Sequence, residues 1–330
     1  MKIIGLTYDL KSDYEFKEGD PPDANAEFDH PSTIDVIAKA IESQGFKVKK
    51  IGNVANLLDN ISNLKVDIVF NISEGVSGRN RESQVPLLLE MAGVPFVGAD
   101  ALSLGLSLDK LMAKKIFVAD GIRTPKSFEV KPDDTSFAEM DHAHFPMIVK
   151  PRFEGSSKGM NDNSRVENKD ELKRQVDYVI NTYKQPALVE EFIRGEEFTV
   201  AVIGNDPAEV MPIVQIKIDG KLKLNDKFYT FGHIKSDALE YVCPAKIKPE
   251  LAAELTSLAL ATYNAIECRD FGRVDFRVDE KGKPYVLEIN PLPSLSSEDV
   301  FMAVAKALGI SYNEVIGRIL KSALKRCNLI

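Results

Sequence analysis

Two short stretches, Arg273-Val274-Asp275-Phe276-Arg277 and Tyr285-Val286-Leu287-Glu288-Ile289-Asn290, could together hold a metal ion. Side chains alternate between the two faces of a strand. Val274, Phe276 and Val278 then share one face, as do Tyr285, Leu287 and Ile289, and Asp279-Glu280-Lys281-Gly282-Lys283-Pro284 supplies turn chemistry between them. A loop over 280–283 pairs Val274 with Ile289, Phe276 with Leu287 and Val278 with Tyr285, all apolar. The same register sets Asp275 against Glu288 and Arg273 against Asn290 on the other face. Facing carboxylates repel, and a divalent cation reverses the sign of that interaction. Asp, Glu and Asn oxygens suit a hard ion such as Mg²⁺, completed by substrate phosphates. A solvated outer face, with Arg273 and Arg277 neutralising the acids, is the competing reading of the hairpin alone.

Two further segments carry polar chemistry. Lys150-Pro151-Arg152-Phe153-Glu154-Gly155-Ser156-Ser157-Lys158-Gly159-Met160 is a glycine-bounded loop after a strand signal. Gly and Ser let backbone N–H groups approach phosphate oxygens. A GxxxxGK[ST] motif is absent, and a plain flexible turn shares this composition. Residues 187–200 read as strand, turn, strand. The strand edge offers backbone groups to a purine ring, Glu190 an acceptor for an exocyclic amine, and Glu197 an acceptor for ribose hydroxyls. On a plain surface hairpin Glu190, Glu191, Glu196 and Glu197 would simply repel one another.

The elements that must position these residues follow from periodicity. Strand signals at 3–7, 46–51, 66–71 and 95–97 alternate with helix signals at 31–44, 53–61 and 83–91, which predicts a parallel sheet with covered faces. No GxGxxG follows the first strand. Residues 13–29 are acidic, Gly- and Pro-containing and aperiodic, and read as a long surface loop with a lid or binding role. A helix is expected over 106–120 with Ser107 as its N-cap. Beyond it come short strands at 127–130, 147–150 and 187–193, and helices at 169–183, 249–268 and 312–327.

At 330 residues the chain has room for two or three domains. A net charge of −8 argues against a nucleic-acid partner. No apolar run reaches the ~18 residues of a membrane span, and the N-terminus turns acidic too soon for a signal peptide. Cys243, Cys268 and Cys327 are scattered and odd in number, which fits reduced structural cysteines in a cytoplasmic protein.

Taken in order, Ser107-Leu108-Asp109-Lys110, the loop from Lys150 to Met160, the segment from Glu190 to Val200, Gly272-Arg273-Val274-Asp275 and Leu287-Glu288-Ile289-Asn290-Pro291 resemble the ATP-grasp superfamily, and within it the D-alanine–D-alanine ligase-like group. The resemblance spans nearly the whole chain. It implies an α/β fold of three domains: a Rossmann-like N-terminal domain (1–105), a small α+β central domain (106–193) and a C-terminal domain with the metal site (194–330). It implies that Lys110 and Lys150 contact ATP phosphates, and that Glu154, Gly155, Ser156, Ser157 and Gly159 form the phosphate-covering loop. Glu190, Phe192 and Ile193 resemble the adenine hinge and Glu197 the ribose ligand. Asp275, Glu288 and Asn290 resemble the ligands of two Mg²⁺ ions, with Mn²⁺ as a substitute. Arg273, Ser156 and Lys235 are placed at the reacting atoms, Lys235 only after a one-residue shift. The implied chemistry is ADP-forming ligation of a small-molecule carboxylate to an amine through an acylphosphate. A homodimer is also implied.

The substrate side departs from the family pattern. Glu27 is the best match to the glutamate that holds the first substrate's amine. Ser236 stands where the family has a tyrosine, and Ser294 and Asp299 where it has Gly and Ser. Asp299 would repel a substrate carboxylate, unless it serves as a helix cap. Glu74 and Arg81 follow a parallel strand, where ligands commonly bind, although an ion pair would also account for them. His233 lies in the expected mobile loop, and His142 and His144 read as surface residues. The expected activity is a ligase with amino acids or amino-acid-like substrates. The alternatives are a D-alanine–D-alanine ligase of peptidoglycan synthesis and a nucleotide-binding module without turnover.

Overall fold

The computed structural model describes residues 1–132, 143–234, 236 and 238–330. The chain begins with β1 (Ile3–Tyr8), α1 (Pro31–Ser43), β2 (Lys47–Gly52), α2 (Val54–Asn60), β3 (Ile68–Ile72), α3 (Gln84–Met91) and β4 (Phe96–Val97). The strands form a parallel sheet in the order β2-β1-β3-β4. Every residue of β3 is buried, as a strand covered on both faces requires. Pro31 presets the first turn of α1, and Ile34, Ile37, Ala38 and Ile41 face the sheet. Asn53 caps α2 by accepting from the Ala55 and Asn56 amides.

The expected single helix over 106–120 is two helices, α4 (Ala101–Leu108) and α5 (Lys110–Ala119). Asp100 and Asp109 are their caps, accepting from Ser103 N and Met112 N. Ser107 is not a cap. It is buried inside α4 and donates back to Leu104 O. Asp109 leaves helical dihedrals (φ −79°, ψ 86°), so Lys110 starts a new helix pointing into the cleft.

The middle of the chain holds β5 (Ser127–Val130), β6 (Met147–Pro151), β7 (Arg165–Val166), α6 (Lys169–Tyr183) and β8 (Ala187–Glu191). The sheet is antiparallel, ordered β5-β8-β6-β7. Leu172, Val176 and Val179 of α6 cover Val149 and Val189.

The remainder comprises β9 (Gly195–Gly204), β10 (Ala208–Val210), β11 (Val214–Ile218), α7 (Phe231–Ile234), β12 (Leu239–Val242), α8 (Pro249–Ala265), β13 (Phe271–Asp279), β14 (Pro284–Asn290), α9 (Val300–Leu308) and α10 (Tyr312–Arg326). Its antiparallel sheet runs β12-β11-β9-β13-β14, with β10 also on β9. Both faces of β9 are buried. Val200 and Val202 pack with α5 and α8, whereas Ala201 and Ile203 join the core that α9 and α10 share with the N-terminal sheet. Buried Asp270 locks this junction, accepting from Gly98 N and Arg326 Nη2 at 2.9 and 2.6 Å.

The β13–β14 hairpin differs from expectation in half its register. Val274 pairs with Ile289, Asp275 with Glu288 and Arg273 with Asn290, as expected. Beyond Asp275 a bulge shifts the ladder, so Phe276 pairs with Val286, Arg277 with Tyr285 and Val278 with Pro284. The cause lies in the turn. Asp279 accepts from the Lys281 and Lys283 amides, and its own amide donates to Lys283 O. The turn closes at Asp279 and Lys283, leaving a loop over 280–282 that is one residue shorter than expected. Val286 is therefore buried instead of Leu287, and Leu287 and Glu288 both line the cleft.

Candidate active site

A cavity of about 660 Å³ opens where the three sheets meet. Its floor is the polar face of β13 and β14. Asp275 accepts from Thr199 Oγ1 at 2.6 Å and from Asn290 Nδ2 at 2.9 Å. That contact uses the amide nitrogen of Asn290 and leaves its oxygen as a donor atom for a ligand. Arg273 holds Asp275 with two contacts, at 3.0 and 2.9 Å. Across the ladder, Glu288 pairs with Lys110 at 3.0 Å. Burial alone would raise the Glu288 carboxyl, but Lys110 and Lys150 outweigh it and hold the group down at about 2. Burial likewise opposes charge on Lys110, and Glu288 keeps its pKa above the usual value. Among the described residues no three His, Cys, Asp or Glu side chains gather into a self-sufficient metal site. Two carboxylates and an amide oxygen fit a hard ion that takes its other ligands from phosphate and water.

Lys110 is aimed by its surroundings. Arg152 grips Asp109 with Nε and Nη2, at 2.6 and 2.7 Å, and thereby ties the end of β6 to the start of α5. Lys110 also donates to Glu154 O at 2.7 Å. Further along the cleft, Lys150 reaches Glu190 Oε2 at 3.0 Å and Lys114 reaches Glu190 Oε1 at 3.1 Å. Glu190 and Lys114 are almost fully buried. Burial and the nearby Lys150 outweigh Glu190 and bring the Lys114 ammonium down to about 8.

The expected strand over 187–193 ends at Glu191, and residues 192–194 cross to the next sheet. The Phe192 N–H is committed to Pro146 O at 3.0 Å, so of this pair only the Ile193 N–H lacks a partner among the described residues. The Phe192 ring lies 4.7 Å from the Arg277 guanidinium. Arg277 in turn sits 3.3 Å from buried Glu197, which also accepts from Tyr229 N at 3.2 Å.

The Lys150-to-Met160 loop turns through left-handed backbone at Ser156 and Ser157 (φ 46° and 54°). Glu154, Gly155, Ser156 and Ser157 line the cavity. Gly159 does not. A Cβ there would lie 2.5 Å from Pro151 Cγ, and its N–H donates to Asp23 at 2.8 Å. The Gly155 N–H is also taken, by Glu27 at 2.6 Å. The 13–29 segment is thus more than a surface loop. Asp23, Glu27 and Phe28 are buried, and the first two fasten it to the glycine loop.

At the substrate end, Glu27 meets Arg81 at 2.6 Å and Lys158 at 3.3 Å. Burial would raise its carboxyl, but Arg81 and Lys158 hold it at about 2. Arg81 also contacts Glu154 at 3.2 Å and Phe153 O at 2.8 Å, which makes it a structural ion-pair partner. Glu74, Glu82, Ser294 and Asp299 line the cavity. Asp299 caps α9 through Val300 N at 2.6 Å and also lines the cavity. Ser236 lines the cleft, and His233 turns instead to Thr230. His144 is exposed, and the three cysteines are free. Lys235 and His142 lie outside the described residues.

Sequence reasoning missed Lys114, Lys158, Asp23 and Glu82. Lys114 was findable, since it lies one helical turn beyond Lys110 on the same face. The pairing of Asp23 with Gly159 spans 136 residues and left no local signal.

Three sheets enclosing a cleft, with paired carboxylates on one hairpin and lysines opposite, define an ATP-grasp fold. The family model described as "D-ala D-ala ligase C-terminus" matches residues 120–321. A Sinorhizobium fredii protein described as "Uncharacterized protein y4sG" is 38% identical over 78% of this chain and 75% of its own length. A D-alanine–D-alanine ligase of Carboxydothermus hydrogenoformans is 33% identical over 89% of this chain and 93% of its own. The structure of D-alanine–D-alanine ligase from Bacillus anthracis complexed with ATP superposes with a TM-score of 0.77 at 23% identity, over 98% of both chains. This chain belongs to the D-alanine–D-alanine ligase family.

Proposed function

We propose that this protein is an ATP-dependent ligase that joins a small-molecule carboxylate to an amine, with Mg²⁺ on Asp275, Glu288 and Asn290. The observation that carries the reading is the opposition of Asp275 and Glu288 across one ladder at the cavity floor, with Lys110 and Arg273 beside them. The reading takes two ions there, as the family resemblance implies. When bound, they neutralise phosphate charge so that an anionic carboxylate can approach ATP.

The chain's own residues do the rest. Lys110 and Lys150 exchange their carboxylate partners for phosphate oxygens, and the loop at Ser156 and Ser157 covers them. The Ile193 N–H and Glu190 read the adenine, and Glu197 holds the ribose. The substrate carboxylate attacks the γ-phosphorus and ADP leaves. The amine then adds to the acylphosphate carbonyl, Arg273 faces the developing oxyanion, and phosphate departs as the nitrogen loses its proton. Closure of the glycine loop over the cleft keeps water from the acylphosphate. The three-domain division at 105 and 193 accompanies this reading, although α5 packs into the C-terminal core.

The substrates proposed are amino acids or close analogues. Phosphate release from Mg·ATP, measured over acids and amines singly and in pairs, tests the reading. Turnover with D-alanine alone makes the protein a D-alanine–D-alanine ligase. Turnover only with another pair names a different ligase. Tight ATP binding without release across the panel favours a non-catalytic module.

A further inference from the structure

Glu190 carries two lysines. Its Oε2 lies 3.0 Å from Lys150 Nζ and its Oε1 3.1 Å from Lys114 Nζ, and its side chain is only 1% exposed. Among the described residues Oε1 makes no hydrogen bond, only that ion-pair contact. One cation already compensates one buried carboxylate, so the second is free to serve another anion.

Local structure builds this arrangement. Ile148 of β6 pairs with Glu190 of β8, so Lys150 is the diagonal neighbour of Glu190 on the same face, within reach of a long side chain. Lys114 comes from α5, one turn after Lys110. The two lysines differ in what holds them. Lys114 is buried and donates to Thr124 Oγ1 at 2.7 Å. Lys150 and Glu190 line the cavity, where a ligand can reach both. Burial opposes charge on Glu190, but Lys114 and then Lys150 hold its carboxyl below the usual range.

We infer that Glu190, Lys114 and Lys150 couple base recognition to phosphate binding: Lys150 leaves Glu190 for a phosphate and frees the carboxylate for the adenine amine, while Lys114 stays as its fixed counter-charge. The inference rests on the nucleotide-binding part of the reading above, not on turnover. As long as Lys150 holds Oε2, an exocyclic amine has only Oε1, which faces Lys114. Once Lys150 is on phosphate, Oε2 is an open acceptor in a buried wall. Lys114 then decides the protonation state. Beside it Glu190 stays ionised and can only accept, so it takes an amine and rejects a carbonyl oxygen. Without Lys114 the buried carboxyl would stand alone and take up a proton. A neutral carboxyl both donates and accepts, and the distinction between adenine and its oxo counterpart hypoxanthine would be lost. Lys114 is thus a positioning residue that sets base selectivity through Glu190.

The test is equilibrium dialysis of the full chain in Mg²⁺ against radiolabelled ATP, inosine triphosphate and adenosine, with no acid or amine substrate. Wild-type protein should bind ATP about tenfold or more tightly than inosine triphosphate. K150M should shift the two adenine ligands in opposite directions: ATP weaker, and adenosine about threefold or more tighter than in wild type. It should keep the preference for ATP over inosine triphosphate, whereas K114M should lose most of it. Equal binding of the two triphosphates by wild type overturns the inference. So does adenosine that binds K150M no more tightly than wild type, undetectable binding to both included, or an unchanged preference in folded K114M. If K114M does not fold, wild type and K150M still decide. The phosphate-release panel is read separately. A silent panel defeats the ligase reading and leaves the coupling standing, ATP binding without the coupling defeats this inference alone, and no ATP binding defeats both.

Discussion

Glu27 Oε1 accepts the Gly155 N–H at 2.6 Å across 128 residues of chain. This bond and the Asp23–Gly159 contact bind the segment after β1 to the loop that covers the cleft. Glu27 should therefore behave as a stability residue. Arg81 and Lys158 hold its folded pKa at about 2, below the ordinary glutamate value of 4.5, so its contribution is fully present above about pH 5 and is lost as pH falls toward 2. The shift corresponds to about 3 kcal/mol. Denaturant unfolding should find E27Q less stable by roughly this amount at pH 6, with the gap closing in acid. A gap that stays constant from pH 6 to pH 3 would remove the linkage argument.

The opposed pair on β13 and β14 predicts how the protein responds to nucleotide. ATP with Mg²⁺ should raise Tm, and ATP with EDTA should do so much less. At 100 Kd the ligand contributes about 2.7 kcal/mol. In E288Q and D275N the Mg²⁺-dependent part of that shift should vanish, and phosphate release should fall by about 10²-fold or more. Retention of a wild-type Mg²⁺ dependence in both variants would move the metal elsewhere.

Lys114 and Glu190 form a buried pair 3.1 Å apart, shared with Lys150. Removing one partner strands the other. K114M should cost about 3–5 kcal/mol. The double variant K114M/E190L should cost less than the sum of the two singles, with an interaction energy of about 1 kcal/mol or more. Strict additivity in a double-mutant cycle would mean the ion pair contributes nothing.

Asp299 both caps α9 and lines the cavity, and substitutions can separate the two. D299N keeps an oxygen for the Val300 N–H and removes the charge, so its stability should stay within about 0.5 kcal/mol of wild type. D299A loses the cap and should cost about 1 kcal/mol. If the charge steers acceptor choice, D299N should broaden the accepted amines toward those that bear a free carboxylate. An unchanged acceptor profile in the phosphate-release panel would leave Asp299 as a helix cap alone.

Much of the fold was legible because periodicity is local. The α6 boundaries match expectation, and α1, α8, α10 and the N-terminal strands differ by a few residues at their ends. The errors came from side chains that act on backbone. Asp109 breaks a helix that hydrophobic spacing alone would continue, and Asp279 tightens a turn whose residue types fit either length. In both cases a carboxylate gathers nearby amides, a choice that composition does not reveal.

By itself, the sequence determined the identities and order of the cleft residues. The pairing of Asp275 with Glu288 could be read from it because alternation along two adjacent strands is a short-range property. Only the tertiary structure decided which carboxylates are free. Glu27, Glu74 and Glu82 are the same chemical group, and nothing local separates them. Arg81, Lys158 and the Gly155 amide converge on Glu27 from two other parts of the fold, whereas Glu74 and Glu82 are left facing the cavity. Burial and partnership are properties of packing between distant segments, and they set which acid stabilises the protein and which is left to meet a ligand.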